Sequence, residues 1–190
     1  MQEPEVFCPR NTTEWRAWLE QNHNSKSSVW VVFYSKATQK PSLTWSDAVD
    51  AALCYGWIDS KKIKIDHETS HQFFSKRKAK STWSKINKDK IDKLMESGLM
   101  TQAGLDAVAV AKLNGSWTIL DQVEDLIVPR DLEEALVSKP GAKEFFESLS
   151  KSVRKMMLTW LVFAKRLETR QNRIDEIAEL ASKGQKPKQF

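Results

Sequence analysis

The chain has 190 residues, 41 % of them hydrophobic, with 30 Lys and Arg against 25 Asp and Glu for a net charge of +5. That composition supports a sizeable core in one compact body, and the longest apolar run, Met156 to Ala164, is interrupted by Thr159, far short of the ~20 residues that span a bilayer. Two cysteines, Cys8 and Cys54, exclude a disulfide framework, and the start Met1-Gln2-Glu3-Pro4-Glu5 lacks a basic, apolar leader, so a cytoplasmic protein is expected.

Asn11 followed three residues later by Glu14 reads as an N-cap, with Trp15, Trp18 and Leu19 at helical spacing behind it. Ser28 to Ser35 is a β-branched and aromatic run, which predicts a buried strand. Thr44 with Asp47 opens a second helix through Ala48, Val49, Ala52 and Leu53, in which Cys54 is expected as a buried free thiol, and Gly56 stands where a left-handed cap belongs. Trp57 to Ile65 turns extended, with Trp57, Asp59, Lys61, Ile63 and Ile65 on one parity, and Thr69 to Phe74 pairs back with it.

Ser84 with Asn87 starts a lysine-rich helix whose expected apolar stripe is Ile86, Ile91, Leu94 and Met95, stopped by Gly98. Thr101 caps the next helix, which runs to Asn114-Gly115. After Trp117 the pattern stays helical, broken by Pro129 and by Pro140-Gly141, and the stripe Val153, Met156, Met157, Trp160, Leu161, Ala164 and Leu167 is its strongest periodic signal, read as core. The expected fold class is α+β: helix-dominated, with a small antiparallel or mixed sheet of about three strands. Residues 1–115 carry the sheet, 116–183 form a helical part packed on it, and 184–190 are a polar, frayed tail.

His67-Glu68-Thr69-Ser70-His71 matches His-Glu-x-x-His. That chemistry needs a helix, where residues four apart place two imidazoles on one face. Here the flanks read as strands, so the histidines are assigned to an exposed hairpin, and no metal or cofactor is expected.

Charge is unevenly spread. From Ser60 to Lys93 there are eleven Lys and Arg against four Asp and Glu, a local +7 that favours an anionic partner; a solvated lysine face is the plain alternative. Arg77 and Lys85 flank Ser81, Trp83 and Ser84, ahead of a helix start whose unpaired N–H groups suit an anion. Trp83 offers a stacking surface, or else pins the loop to the core while Arg77 pairs with Asp59. Non-sequence-specific nucleic-acid binding through Lys76, Arg77, Lys78 and Lys80 is a less favoured alternative, since no motif for reading sequence is present.

Several stretches resemble the YdeI/OmpD-associated family, the bacteriocin-protection proteins: Leu53-Cys54-Tyr55-Gly56-Trp57-Ile58-Asp59, Arg77-Lys78, Ser81 to Asn87, Gly98-Leu99-Met100 with Gly104, and Trp160 with Ala164 to Ile174. Ser60, Lys76 and Ala79 depart from the family pattern, which tends to glycine at the first and proline at the other two, and so loosen the loop before Ser81. The resemblance implies an association with bacterial envelope stress and resistance to cationic antimicrobial peptides, without an established reaction.

The functional expectation is binding of a small or polymeric anion in a cleft. Trp57, Asp59, Arg77, Ser81, Trp83, Ser84 and Asn87 would line its N-terminal side, and Lys165, Glu168 and Asn172, on one helical face, the other. Two alternatives stand beside it: the same residues as an internal docking network in an interaction protein, or a hydrolase-type enzyme with Asp59 as base and Arg77 as oxyanion clamp. The sequence names neither the ligand nor an oligomeric state.

Overall fold

The computed structural model describes residues 4–190; Met1, Gln2 and Glu3, in the start read above as lacking a leader, lie outside them. The chain divides into two compact units, one ending at Trp117 and the other running from Thr118 to Phe190. The class is α+β, with the sheet in the first unit and helices alone in the second.

The sheet is mixed and has four strands in the order β1-β2-β4-β3. β1 (Glu5–Phe7) runs parallel to β2 (Ser28–Tyr34), and β4 (Thr69–Lys76) is antiparallel to both β2 and β3 (Trp57–Lys64). The expectation of about three strands is corrected by β1, whose three residues after a proline are too short to show a period. A second correction concerns parity. β3 pairs Asp59 with Phe74 but Lys62 with Gln72, so it carries one extra residue there. This bulge turns Lys61 and Ile63 off the face of Trp57 and Asp59 and puts Lys62 and Lys64 on it.

Helix α1 (Thr12–Asn22) and helix α2 (Trp45–Cys54) begin as their sequences require: the Asn11 side chain accepts from Glu14 N–H, and the Thr44 hydroxyl from Asp47 N–H. Their apolar faces meet the sheet in one core that contains Trp15, Leu19, Val31, Val49, Trp57 and Phe74, all fully buried. Polar edges of these rings find partners: Trp15 Nε1 donates to Ala48 O at 3.0 Å and Trp57 Nε1 to His23 O at 3.4 Å.

Helix α3 (Lys85–Glu96) starts at Ser84, whose hydroxyl accepts from Asn87 N–H. Its buried residues are Ile91 and Leu94, whereas Ile86 is 63 % exposed and Met95 also faces outward. The buried face is narrower than the expected stripe: Ile91 and Leu94 join the core, and Lys90 beside them bonds Ser46 Oγ and Asp50 Oδ1 on α2. Helix α4 (Gln102–Leu113) follows. Thr101 does not cap it through its side chain; the hydroxyl donates instead to Cys54 O at 2.6 Å, and Thr101 N–H reaches the same oxygen at 3.1 Å.

That contact is close because of two glycines. Gly56 ends α2 with φ +71°, and Gly104 faces Cys54 so tightly that a Cβ there would lie 2.3 Å from the Cys54 carbonyl oxygen. Gly104→Ala should therefore cost about 3 kcal/mol by overpacking. Gly98→Ala would meet nothing within 4 Å and pay only for its φ of +65°, about 1 kcal/mol. Urea denaturation of the two variants beside the parent measures the contrast.

The second unit comprises α5 (Asp121–Glu124), α6 (Arg130–Val137), α7 (Ala142–Ser148), α8 (Lys151–Val162) and α9 (Leu167–Ser182). Leu132, Leu136, Phe146, Met157, Leu161 and Ile177 fill its core. The breaks fall just before α6, ending at Pro129, and at Pro140-Gly141, as expected. The long stripe, however, spans two helices. α8 ends at Val162, where Arg170 Nη1 donates to Leu161 O and Arg173 Nη1 to Trp160 O, and Leu167 is 88 % exposed. Leu158, outside the expected stripe, takes a core place. The tail is not frayed: Pro187 is buried and Phe190 packs edge-on against Trp160, centroids 5.6 Å apart. No helix among the described residues is long and apolar enough to cross a membrane.

Carboxylates hold this unit's surface together. Asp131 receives a two-pronged bond from Arg170 at 2.7 and 2.9 Å, which lowers its pKa, and Lys139 and Lys183 bring Glu179 down from 4.5 to about 2. Groups held below their unfolded values stabilise above those values and lose that contribution as pH falls. Acid titration monitored by circular dichroism should show helical signal weakening between pH 4.5 and about 2, less steeply in Glu179→Gln.

Candidate functional site

The corner between α2 and β3 positions Arg77. Arg77 N–H donates to Gly56 O at 2.9 Å, continuing the pairing of Trp57 with Lys76, so the side chain leaves the sheet where α4 passes closest. Its guanidinium lies 3.6 Å from the centre of the Trp83 ring, and Nη2 donates to Thr82 O at 2.7 Å. Nε and Nη1 are buried and meet no acceptor among the described residues. Burial pulls the Arg77 pKa down to about 10, with the field of Asp59 opposing; at neutral pH it remains a cation.

Arg77 lines a recess of about 230 Å³ with Tyr55, Gly56, Trp83, Ala103 and Ala107. Lys76 and Lys78 stand at its edge against one acid, Asp106. Tyr55 is pushed up to about 12, by burial first and then by its hydrogen bond to Glu20. The loop above is held without the prolines: Asn114 Nδ2 donates to Ala79 O at 2.7 Å and Ser116 Oγ to the same oxygen at 3.4 Å. Small residues at positions 103, 104 and 107 were the signal in the sequence for this close approach.

Several of the residues grouped above have partners of their own. Asp59 does not pair with Arg77; its Oδ2 accepts from Trp45 Nε1 at 2.9 Å and from Gln72 Nε2 at 3.2 Å. Trp57 is in the core, and Trp83 is fully buried between Arg77 and Trp117, its ring centroid 5.0 Å from that of Trp117, so that it forms part of the recess wall. Ser81 Oγ donates to Lys78 O, and Ser84 is committed to the α3 cap with Asn87. Lys165 is not helical: it lies in the α8–α9 connection, where Arg170 and Arg173 end the helix. Glu168 and Asn172 are exposed on α9, in the second unit.

A larger basin of about 650 Å³ opens on the other side of Asp59 from the Arg77 recess, lined by Tyr34, Lys36, Lys40, Trp45, Lys62 and Lys64. It was missed because the bulge in β3 is invisible to a strict alternation. In the second unit an apolar groove of about 500 Å³ contains Met156, Trp160 and Phe163 and is lined in part by Phe190.

His67 is at the β3–β4 turn and His71 on strand β4, 6.4 Å from the Trp30 ring, so the His-Glu-x-x-His stretch is a hairpin. No three metal-binding side chains converge among the described residues. Cys54 is buried, and burial raises its thiol pKa. Metal analysis of untagged protein should return well under one zinc per chain, unchanged in His71→Ala.

Two family models match this chain. Residues 7–107, a span that includes β2, β3, β4 and Arg77, match a domain of unknown function (DUF8412), and residues 125–184 match the family described as Bacteriocin-protection, YdeI or OmpD-Associated. The chain thus belongs to the DUF8412 family and carries a YdeI/OmpD-associated domain in its second unit. The motifs around Gly56, Arg77 and Trp83 fall in the first match, those around Lys165 and Asn172 in the second. No curated protein and no solved structure matches it.

Proposed function

We propose that the N-terminal unit is an anion-binding module whose site is the recess beside Arg77. One observation carries this reading: a buried guanidinium whose Nε and Nη1 have no acceptor among the described residues, at the wall of a cavity. Stranding a buried charge costs several kcal/mol, and buried polar groups almost always find partners. An oxyanion supplies the acceptors that the fold does not. Lys76 and Lys78 add attraction at the rim, and a volume near 230 Å³ suits a phosphate, sulfate or carboxylate group, free or on a polymer. Binding of this kind connects with protection against cationic peptides through the anionic groups that such peptides seek.

Two observations favour a second reading, in which Arg77 only fastens the loop: its bond to Thr82 O and its stack on a fully buried Trp83. Asp59 is engaged by Trp45 and Gln72 and is not turned to this recess, which weighs against a role as base there.

Thermal shift with inorganic phosphate, a sulfated glycan and a short oligonucleotide separates these. At 100 times Kd one site contributes about 2.7 kcal/mol, a gain that falls with salt. It should persist in Lys139→Ala and in the double variant Lys62→Glu, Lys64→Glu, and vanish when Arg77→Ala is added to that double variant. Stabilisation by the oligonucleotide alone would favour the nucleic-acid alternative. Should no anion shift the melt, or should adding Arg77→Ala leave the response of the double variant unchanged, the recess is a docking network.

A further inference from the structure

The basin on the far side of Asp59 has the features of a second and different site. Trp45 is the first residue of α2, yet it is 50 % exposed, an unusual position for the largest apolar side chain. It is not loose: its Nε1 is fastened to Asp59, which is itself held by the buried Gln72. The result is an oriented indole at the wall of a cavity of about 650 Å³, within the ~300–1,000 Å³ range of small-molecule sites.

Charge in the basin is positive and partly free. Four lysines line it, Lys36, Lys40, Lys62 and Lys64, against Asp66 and Glu68. Both acids are engaged. Asp66 Oδ1 accepts from the backbone N–H groups of Glu68 and Thr69, each at 2.7 Å, and Glu68 pairs with Lys40 at 2.8 Å. Lys40 also lies 5.1 Å from the Tyr34 ring centre. Lys36, Lys62 and Lys64 have no ion-pair partner among the described residues. The β3 bulge between Asp59 and Lys62 delivers the last two to this face, two residues apart.

An indole face beside three unpaired ammonium groups matches a ligand with a planar ring at one end and more than one negative charge at the other. We infer that this basin binds a nucleotide-type anion, with the ring against Trp45 and the phosphates toward Lys36, Lys62 and Lys64. Phosphate contacts set most of the affinity and its salt dependence, and the ring contact sets the preference for an aromatic ligand.

Isothermal titration with ADP, pyrophosphate and adenosine tests this. ADP should bind more tightly than pyrophosphate, and adenosine should bind at least tenfold more weakly than ADP. The double variant Lys62→Glu, Lys64→Glu should lose ADP binding. Trp45→Ala should weaken ADP at least tenfold while leaving pyrophosphate within twofold, and Asp59→Ala, which frees the indole, should weaken ADP by a smaller factor. Arg77→Ala should leave ADP unchanged, which separates this site from the recess. Absence of ADP binding to the parent, full ADP affinity in the charge-reversed variant, or equal losses for ADP and pyrophosphate in Trp45→Ala would overturn the assignment. Circular dichroism melts of each variant identify any that fail to fold; for these, Lys64→Gln and Trp45→Leu carry the same comparison, the first weakening both phosphates and the second weakening ADP while leaving pyrophosphate within twofold.

Discussion

The first unit depends on how closely α4 can approach the end of α2. Cys54 O, left without a helical partner where α2 stops, is satisfied twice by Thr101, through its N–H and its hydroxyl. The contact exists only because Gly104 has no Cβ to strike that oxygen and because Gly56 adopts a positive φ beside Ala103. From this one junction the rest follows. Gly56 O receives Arg77 N–H, α4 supplies the far wall of the recess, and Asn114 and Ser116 beyond α4 hold Ala79 O in the loop above.

A second constraint works along β3. Strict alternation would keep Lys61 and Ile63 on the face of Trp57 and put Lys62 and Lys64 on the other. The extra residue between Asp59 and Lys62 exchanges them. Lys61 then lies over Trp30 and Phe73, 5.2 and 5.6 Å from their ring centres, where its charge covers aromatic surface. Lys62 and Lys64 pass to the basin side. A single inserted residue thus divides one lysine run between two jobs.

Much of the fold was legible in the sequence because local chemistry and burial agree there. Asn11, Thr44 and Ser84 cap as their residue types dictate, and Trp15, Trp18 and Leu19 form the buried face of α1. What was not legible has tertiary causes. Nothing near Ile86 signals that it stays exposed while Lys90 reaches Asp50 on α2, and nothing near Ala164 signals that arginines from the following helix bond the last carbonyls of α8. The site was legible in its parts: Arg77 and Trp83 do meet, at 3.6 Å, but as a buried stack, and Asp59 belongs to Trp45.

The cations of the recess and of the basin differ in kind. Arg77 is fixed, planar and desolvated, its pKa lowered by burial, and its bond to Thr82 leaves two donors without acceptors. Such a group is costly to leave unpaired, and its rigid planar fork accepts partners only in fixed directions. Lys62 and Lys64 are solvated point charges on flexible stems, inexpensive to leave unpaired. They impose no geometry of their own, and the side chain held in place beside them is the indole that Asp59 fastens.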